Sequence, residues 1–470
     1  MTGPSLVFSE ETIKSVSQTL ARFKSIAVDS YGVPLNQIRV FATEAMRRAQ
    51  NATSMLEAIR IASPGLSVHI LAPEVETLFG AVGARSSFVN AKGLFLDLGG
   101  GSVQMTYLDT SSGMDSNNDT THEIAAALAG QSLPFGAARL IKLLEDSDVE
   151  VQTIAKSELS QGLTRAFQTL CERFPSLAAI AAQVQEGGNG ETGSGIDVYL
   201  CGGGFRGYGS MLMQNHPISP YPIPSIGSFT VSGELFSKTT TMLKVNKSFD
   251  GKIFGMSKRR RAQFPAIVAV VDALIGAVPL IRSVTFCAGG NREGALMMIL
   301  PTHIRQTNPM TIENEASGFI LPASPNSLVS IRDIMDTLHT ALPPDMDSTR
   351  TATIFSLQLG SFYVRQIWHR LGQDADANAS AALHYAVNLP DQPGLTHLSR
   401  AVLGVTSCAR WGASLAPVDL VLYRNLRALL DSVDPEAVFW ADYIGAVSAV
   451  LATILPSWPR SQQNISEHVR

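Results

Sequence analysis

Residues 93–109 read GLFLDLGGGSVQMTYLD, two apolar runs on either side of a glycine triplet. The runs read as strands and the triplet as the turn between them, so the stretch opens an α/β unit with a hairpin. A domain boundary near residue 90 follows. Asp97 ends the first strand. Gly99, Gly100 and Gly101 let backbone N–H groups approach phosphate oxygens with no Cβ in the way, and Ser102 adds a hydroxyl donor. A carboxylate at that strand end suits Mg²⁺, which prefers carboxylate, water and phosphate oxygens. Taken alone, the triplet serves a tight turn as well as a phosphate site, and the surrounding sequence has to decide.

Upstream, Ile13, Val16, Leu20, Phe23 and Ile26 recur at helical spacing, so residues 10–31 are expected to form a helix. The run QIRVFATEA at 37–45 is β-rich, a helix is expected over 52–62, and VHIL at 68–71 reads as a short strand. Pro73 then starts a helix that carries Glu76 and Phe79. Downstream, the polar stretches 110–120 and 186–195 read as exposed loops. IDVYLCGGGFRG at 196–207 and SVTFCAGGNREG at 283–294 repeat one arrangement: apolar strand, small residues, helix. Such strand ends are where an α/β sheet presents its ligand loops. From about residue 301 the chain reads as mainly helical, with 352–371 its clearest amphipathic segment.

The 470 residues are 45% hydrophobic and only 16% charged, enough to bury a large core in two or three domains. A formal net charge of -4 gives no general attraction to nucleic acid or anionic lipid. Cys171, Cys201, Cys287 and Cys408 form no CxxC pair and read as buried reduced thiols. The amino terminus lacks the basic start and apolar core of a signal peptide, so a cytoplasmic protein is expected. Two apolar stretches, 264–281 and 437–456, are near the lower length limit for a bilayer span and are expected to be buried core helices.

Seven blocks together carry a resemblance: RVFATEAMRRAQN (39–51), VHILAPEVETLFGAVGA (68–84), GLFLDLGGGSVQMTYLD, SLPFGAARLI (132–141), YLCGGGFRG (199–207), KRRRAQFPAI (258–267) and GGNREGAL (289–296). In order and spacing the sequence resembles the exopolyphosphatase/guanosine pentaphosphate phosphatase (Ppx/GppA) superfamily, and within it the fungal retrograde-regulation branch. The resemblance implies an α/β, actin-like ATPase fold of two ribonuclease-H-like lobes, with the first lobe lacking its N-terminal strands, plus a helical carboxy-terminal domain. The corresponding division is 1–90 for the partial first lobe, 91–300 for the second and 301–470 for the helical domain.

It further implies that Glu76 is the catalytic carboxylate that orients or deprotonates water, and that Asp97 holds Mg²⁺. Phosphate falls to Gly99, Gly100, Gly101, Ser102, Thr43, Arg47 and, from the second lobe, the glycine turn of Gly202, Gly203 and Gly204. Asn51 matches the asparagine of the same segment as Thr43 and Arg47. Read without the resemblance, Glu76 is an ordinary acid in the first turn of a helix. Arg48 reads as a surface charge, Arg292 as an ion-pair partner and KRRR at 258–261 as a solvated or cleft-edge cluster. His384 and His397 read as polar or packing residues, since Tyr385 follows His384 where a His-Asp phosphohydrolase needs aspartate.

Three departures bear on activity. The chain starts where the first lobe's first helix is expected, leaving the family's amino-terminal Asp-x-Gly-Ser hairpin unmatched. Val75 replaces the first of two adjacent glutamates, and Gln104 stands where many of the enzymes have glutamate. Gln104 keeps hydrogen bonding but brings no negative charge to a metal or base. The expected function is therefore a phosphate-compound-sensing regulator of mitochondria-to-nucleus signalling, with polyphosphate, ATP or a guanosine polyphosphate as ligand and signalling proteins as partners. The alternative is a Mg²⁺-dependent exopolyphosphatase or guanosine pentaphosphate phosphohydrolase. A phosphotransferase on the same fold keeps a smaller share, a homodimer stays open, and neither nucleic acid nor membrane is expected.

Overall fold

The structure, a computed structural model, describes residues 6–88, 91–110, 119–146, 148–185, 195–316, 329–344, 351–370 and 374–461. The stretches 111–118 and 186–194, read from sequence as loops, lie outside the described residues. The chain opens with helix Glu10–Ser25, whose first turn is capped by the Ser9 side chain and carries Glu10 and Glu11. A single π-type turn, Ile26–Ser30, follows it. Strands β1 (Val40–Ala42) and β2 (Val68–Ile70) then pair in parallel. The β-rich run expected over 37–45 yields only these three strand residues, because helix Glu44–Arg48 begins directly after Thr43. Asn51 ties the amino-terminal segment down: its Oδ1 accepts from the Phe8 amide and its Nδ2 donates to the Phe8 carbonyl, both at 2.9 Å.

Helix Pro73–Arg85, the Glu76 helix, leads from this unit into a six-stranded sheet. The strands are β3 (Lys92–Leu98), β4 (Val103–Asp109), β5 (Gln131–Leu133), β6 (Ile196–Cys201), β7 (Phe229–Ser232) and β8 (Ile281–Phe286), in the order β5-β4-β3-β6-β8-β7. The hairpin read from 93–109 is present, with β3 antiparallel to β4 and Asp97 opposite Gln104. Strands β3, β6 and β8 run in parallel, so their carboxyl ends share one edge of the sheet. That edge carries all three glycine segments: 99–101, 202–204 and 289–290. The apolar runs are buried on both faces, as a helix-covered sheet requires: Leu94, Phe95, Leu96 and Leu98 are all enclosed, with the fully buried helix residues Phe264, Ile267, Val270 and Leu274 in the same core.

The two units meet backbone to backbone. A Cβ on Gly83 of the Glu76 helix would stand 1.9 Å from the Gly290 carbonyl, and one on Gly294 of helix Asn291–Met297 would stand 1.8 Å from the Phe79 carbonyl. Only glycine permits this approach.

The remaining chain is helical around its own core, which includes Ile334, Tyr363, Leu383, Leu403, Leu426 and Ile444. The helix expected over 352–371 is shorter: a left-handed residue, Gln358, separates a turn from helix Gly360–Ile367, which is buried on nearly every side. Helix Pro435–Ile454 is long and apolar enough to cross a membrane, and it packs here by one face only. Ala437, Ala441, Ile444 and Leu451 point into the helical core, whereas Phe439 and Val450 are exposed, so the stretch expected to be a buried core helix is buried along one face. His397 of this part bonds Tyr221 of the sheet unit at 2.8 Å, and Gly394 donates to the Ser87 carbonyl at 3.0 Å. His384, the other histidine read as ordinary, sits 2.8 Å from Asp419. A cavity of ≈ 330 Å³ opens beside Asn314, Arg332, His339 and Phe355, lined wholly by residues of this part.

Candidate phosphate-binding site

The glycine loop after Asp97 is held from behind. Ala137 donates to the Gly99 carbonyl at 3.0 Å, and Ala138 and Arg139 donate to the Gly100 carbonyl at 3.1 and 3.2 Å. These donors are the first amides of helix Ala137–Leu144, groups that have no partner inside their own helix. With the loop carbonyls turned that way, the amides of Gly100 and Gly101 donate to no protein group among the described residues. Gly136 makes the support possible, because a Cβ there would lie 2.3 Å from the Gly101 nitrogen. Gly100 is open: its Cβ would meet only the Ala138 methyl, at 3.7 Å.

Beside the loop runs a chain of alternating charges. Arg48 contacts Glu44 at 3.3 Å, Glu44 contacts Arg47 at 3.1 Å, and Arg47 Nη2 stands 2.7 Å from Glu76 Oε2. Arg47 also donates to the Leu71 carbonyl at 2.6 Å. Glu76 is only 5% exposed. Its Oε1 accepts from Gln104 Nε2 at 3.1 Å, and the same amide reaches Ser102 Oγ at 2.7 Å. Gln104 therefore links Glu76 to the end of the glycine loop. Oε2 is held by the Arg47 guanidinium at 2.7 Å and by no other group among the described residues. Burial pushes the Glu76 carboxyl up, with Arg47 opposing it.

Asp97 sits where the three parallel strand ends converge. Its carboxyl is pushed up to about 6, first by burial, with the Arg206 guanidinium opposing and the Glu76 charge adding to the rise. Gly202, at φ +85°, lets the chain pass: a Cβ there would fall on Asp97 Oδ1. Gly202, Gly203 and Gly204 form the first turn of helix Gly202–Gln214 rather than a separate glycine turn, the left-handed Gly202 allowing the helix to start directly off β6. Two arginines flank it. Arg206 donates to the Ala288 carbonyl at 3.1 Å, and Arg260 Nη2 would lie 3.6 Å from a Cβ on Gly203.

Set against these contacts, a model of the Ppx/GppA phosphatase family matches residues 2–303, well over half of the chain. The chain belongs to the Ppx/GppA phosphatase family. A model of the RTG2 C-terminal domain matches residues 322–469. The chain is 29% identical over 459 residues to Retrograde regulation protein 2 of Saccharomyces cerevisiae, covering 95% of this chain and 71% of the relative. Among solved structures it is similar to an exopolyphosphatase from Cytophaga hutchinsonii, at 17% identity and TM-score 0.47 over 63% of this chain and 83% of that one. It is also similar to the type II variant of the Aquifex aeolicus Ppx/GppA phosphatase, at 18% identity and TM-score 0.41, over 62% and 83% of the two chains.

The Ppx/GppA fold thus brings Glu76, Gln104, Ser102 and the glycine loop into one connected cluster, with Asp97 beside it. Thr43 precedes the short helix that carries Arg47 but caps it with no side-chain bond. Arg48 is a surface ion pair with Glu44, Arg292 is exposed, and Asn51 is occupied with Phe8. Within KRRR the members differ: Arg261 donates to the carbonyls of Asn246 and Phe249, whereas Arg260 faces Gly203. The sequence reading passed over Gly136 and Arg206, although each lies inside a quoted block, and took Arg260 only as one member of a solvated or cleft-edge cluster. The fit to a divalent cation rests on Asp97, a hard oxygen ligand at the strand ends, since Glu76 Oε2 is already engaged by Arg47 and no group of three or more His, Cys, Asp or Glu side chains gathers to hold a metal among the described residues.

Proposed function

We propose that this chain is a phosphate-compound-sensing regulator, which binds polyphosphate, ATP or a guanosine polyphosphate at Gly99–Ser102 with Mg²⁺ held through Asp97. The observation that carries the reading is the pair of undirected amides at Gly100 and Gly101, fixed in place by the helix behind them. Such amides suit an anion of several charges. Thr43, Arg47, Gly202 and Gly203 remain candidates for further phosphate contacts, and Arg206 and Arg260 bring positive charge to the second lobe's side.

Binding is favoured over turnover by the state of Glu76. A base needs an accessible lone pair and a nearby water, whereas Glu76 is enclosed, bonded through Oε1 to Gln104 and pressed against Arg47 through Oε2. Mg²⁺, when bound, would neutralise phosphate charge; the protein's own part is to orient the anion with amides and to exclude water with the Glu76 helix. The likeness to a retrograde regulation protein supports a signalling role, in which a ligand with unequal affinity for open and closed lobes shifts their balance and alters contacts with partner proteins. A cytoplasmic site of action accords with this reading.

Calorimetry with ATP, guanosine tetraphosphate and polyphosphate in Mg²⁺ buffer tests it. Heat with at least one of them, lost in Gly100→Val, is the expected result; Gly100→Val is chosen because a Cβ at residue 100 meets only the Ala138 methyl, at 3.7 Å. Absence of binding to all three ends the proposal. Phosphate release that disappears in Glu76→Gln would move the reading to the hydrolase.

A further inference from the structure

Asn291 has no role in the site so far described. It is the first residue of helix Asn291–Met297, whose glycine-to-backbone contact with the Glu76 helix fixes its position. Its Oδ1 is buried and accepts no hydrogen bond among the described residues. A buried acceptor left without a donor costs free energy and calls for an explanation. The explanation is at Gly80. A Cβ on residue 80 would stand 3.2 Å from Asn291 Oδ1 and 3.6 Å from Asp97 Oδ2. An oxygen from the end of β3 and one from the start of helix Asn291–Met297 therefore border the small volume that Gly80 leaves free.

Glu76 lies one helical turn before Gly80 and so shares its face of the helix. Its Oε2 is engaged by Arg47 at 2.7 Å, and its charge is close enough to oppose ionisation of Asp97. Asn291 Oδ1 and the Asp97 carboxylate, which both border the Gly80 space, repel one another, and the Arg47 guanidinium that balances Glu76 does not reach Asn291 Oδ1. A hard divalent cation, which takes carboxylate, amide carbonyl and water oxygens together, removes that repulsion. We infer that Asn291 supplies a neutral oxygen ligand, directly or through one water, to the divalent cation held by Asp97, and that Gly80 is glycine because the ion's shell occupies the space of a side chain. This inference rests on the cation-dependent phosphate site proposed above and adds a residue of the second lobe to it.

The reversed amide is the competing arrangement. Asn291 Nδ2 would then donate to Asp97, and the residue would be a structural tie. Mn²⁺ titration of the full chain, followed by electron paramagnetic resonance of the free ion, separates the two. Wild type, Asn291→Leu, Asn291→Asp, Gly80→Ala and Asp97→Asn are compared in metal-free buffer for melting temperature and then for Mn²⁺ affinity. Expected are a loss of about tenfold or more for Asn291→Leu, a similar loss for Gly80→Ala, whose methyl fills the space, and retained or tighter binding for Asn291→Asp. Wild-type Mn²⁺ affinity in Asn291→Leu, with binding still abolished in Asp97→Asn, overturns the role of Asn291 and leaves the phosphate site standing. If wild type and Asp97→Asn are alike in binding no Mn²⁺, the cation is lost from both readings.

Discussion

Arg47 Nη2 lies 2.7 Å from Glu76 Oε2, joining a helix of the amino-terminal unit to the enclosed carboxylate beside the glycine loop. The contact holds a charge that burial disfavours, so the guanidinium that sequence assigned to phosphate is already engaged by the protein's own acid. Removing one partner of such a pair costs more than the pair itself contributes. Arg47→Ala should lower unfolding free energy by about 3 kcal/mol, and Glu76→Gln in that background should recover part of it. Urea denaturation of the two variants measures this; an Arg47→Ala curve that overlays wild type would show the pair to be solvated.

Gln104 donates to both Glu76 and Ser102 from one amide nitrogen. Gln104→Glu replaces that donor with a second carboxylate facing the first. Its carboxyl should be raised in the folded state, so the penalty is small at pH 5, grows as pH rises through the raised value, and reaches roughly 2 kcal/mol at pH 8. Added Mn²⁺ should recover stability at pH 8 more than in wild type. Equal melting temperatures for the two proteins at pH 8 without metal would count against the contact.

The two glycine environments predict opposite signs for one substitution. Gly294→Ala forces a methyl onto the Phe79 carbonyl and should destabilise by at least about 3 kcal/mol, as overpacking against rigid backbone does. Gly276→Ala meets nothing within 4 Å near the end of an exposed helical turn and should stabilise by about 0.5 to 1 kcal/mol. Thermal melts of both variants check the contrast.

His397 is buried against Tyr221, and burial together with Arg400 pushes its imidazole down to about 3. A histidine held neutral in the fold but free to protonate when unfolded gives stability that is full above the unfolded value near 6.5 and is lost as pH falls below it. Between pH 6.5 and 5 the wild type should therefore lose melting temperature faster than His397→Asn, which keeps an acceptor near Tyr221. Parallel acid limbs for the two would remove His397 from the pH response.

The hairpin and its glycine triplet were legible in sequence because they are local: apolar runs define the strands, and a glycine triplet has few alternatives to a turn, whereas Glu76 stood out through the family resemblance alone. The same logic overshot at 37–45, where β-rich residues gave three strand positions before Thr43 turned the chain into a helix. It also overshot at Gly202, where a left-handed glycine lets a helix start directly off β6. What no local pattern carries is who faces whom. That Gln104 reaches Glu76, that Arg47 is spent on an acid, and that Asn291 confronts Asp97 are products of chain crossings over long separations. Gly136 and Gly294 hold their neighbours by the absence of a side chain, which pattern reading registers only as flexibility.

Where the Glu76 helix crosses helix Asn291–Met297, main chain rests on main chain, and no rotamer exists there to absorb a change in spacing. The crossing acts as a fulcrum. Any pull exerted on the Glu76 end by an occupied glycine loop must bend a helix or carry the far segment bodily with it. Since that segment continues into the carboxy-terminal helices, an event at the phosphate loop has a mechanical route to a surface that never touches the ligand.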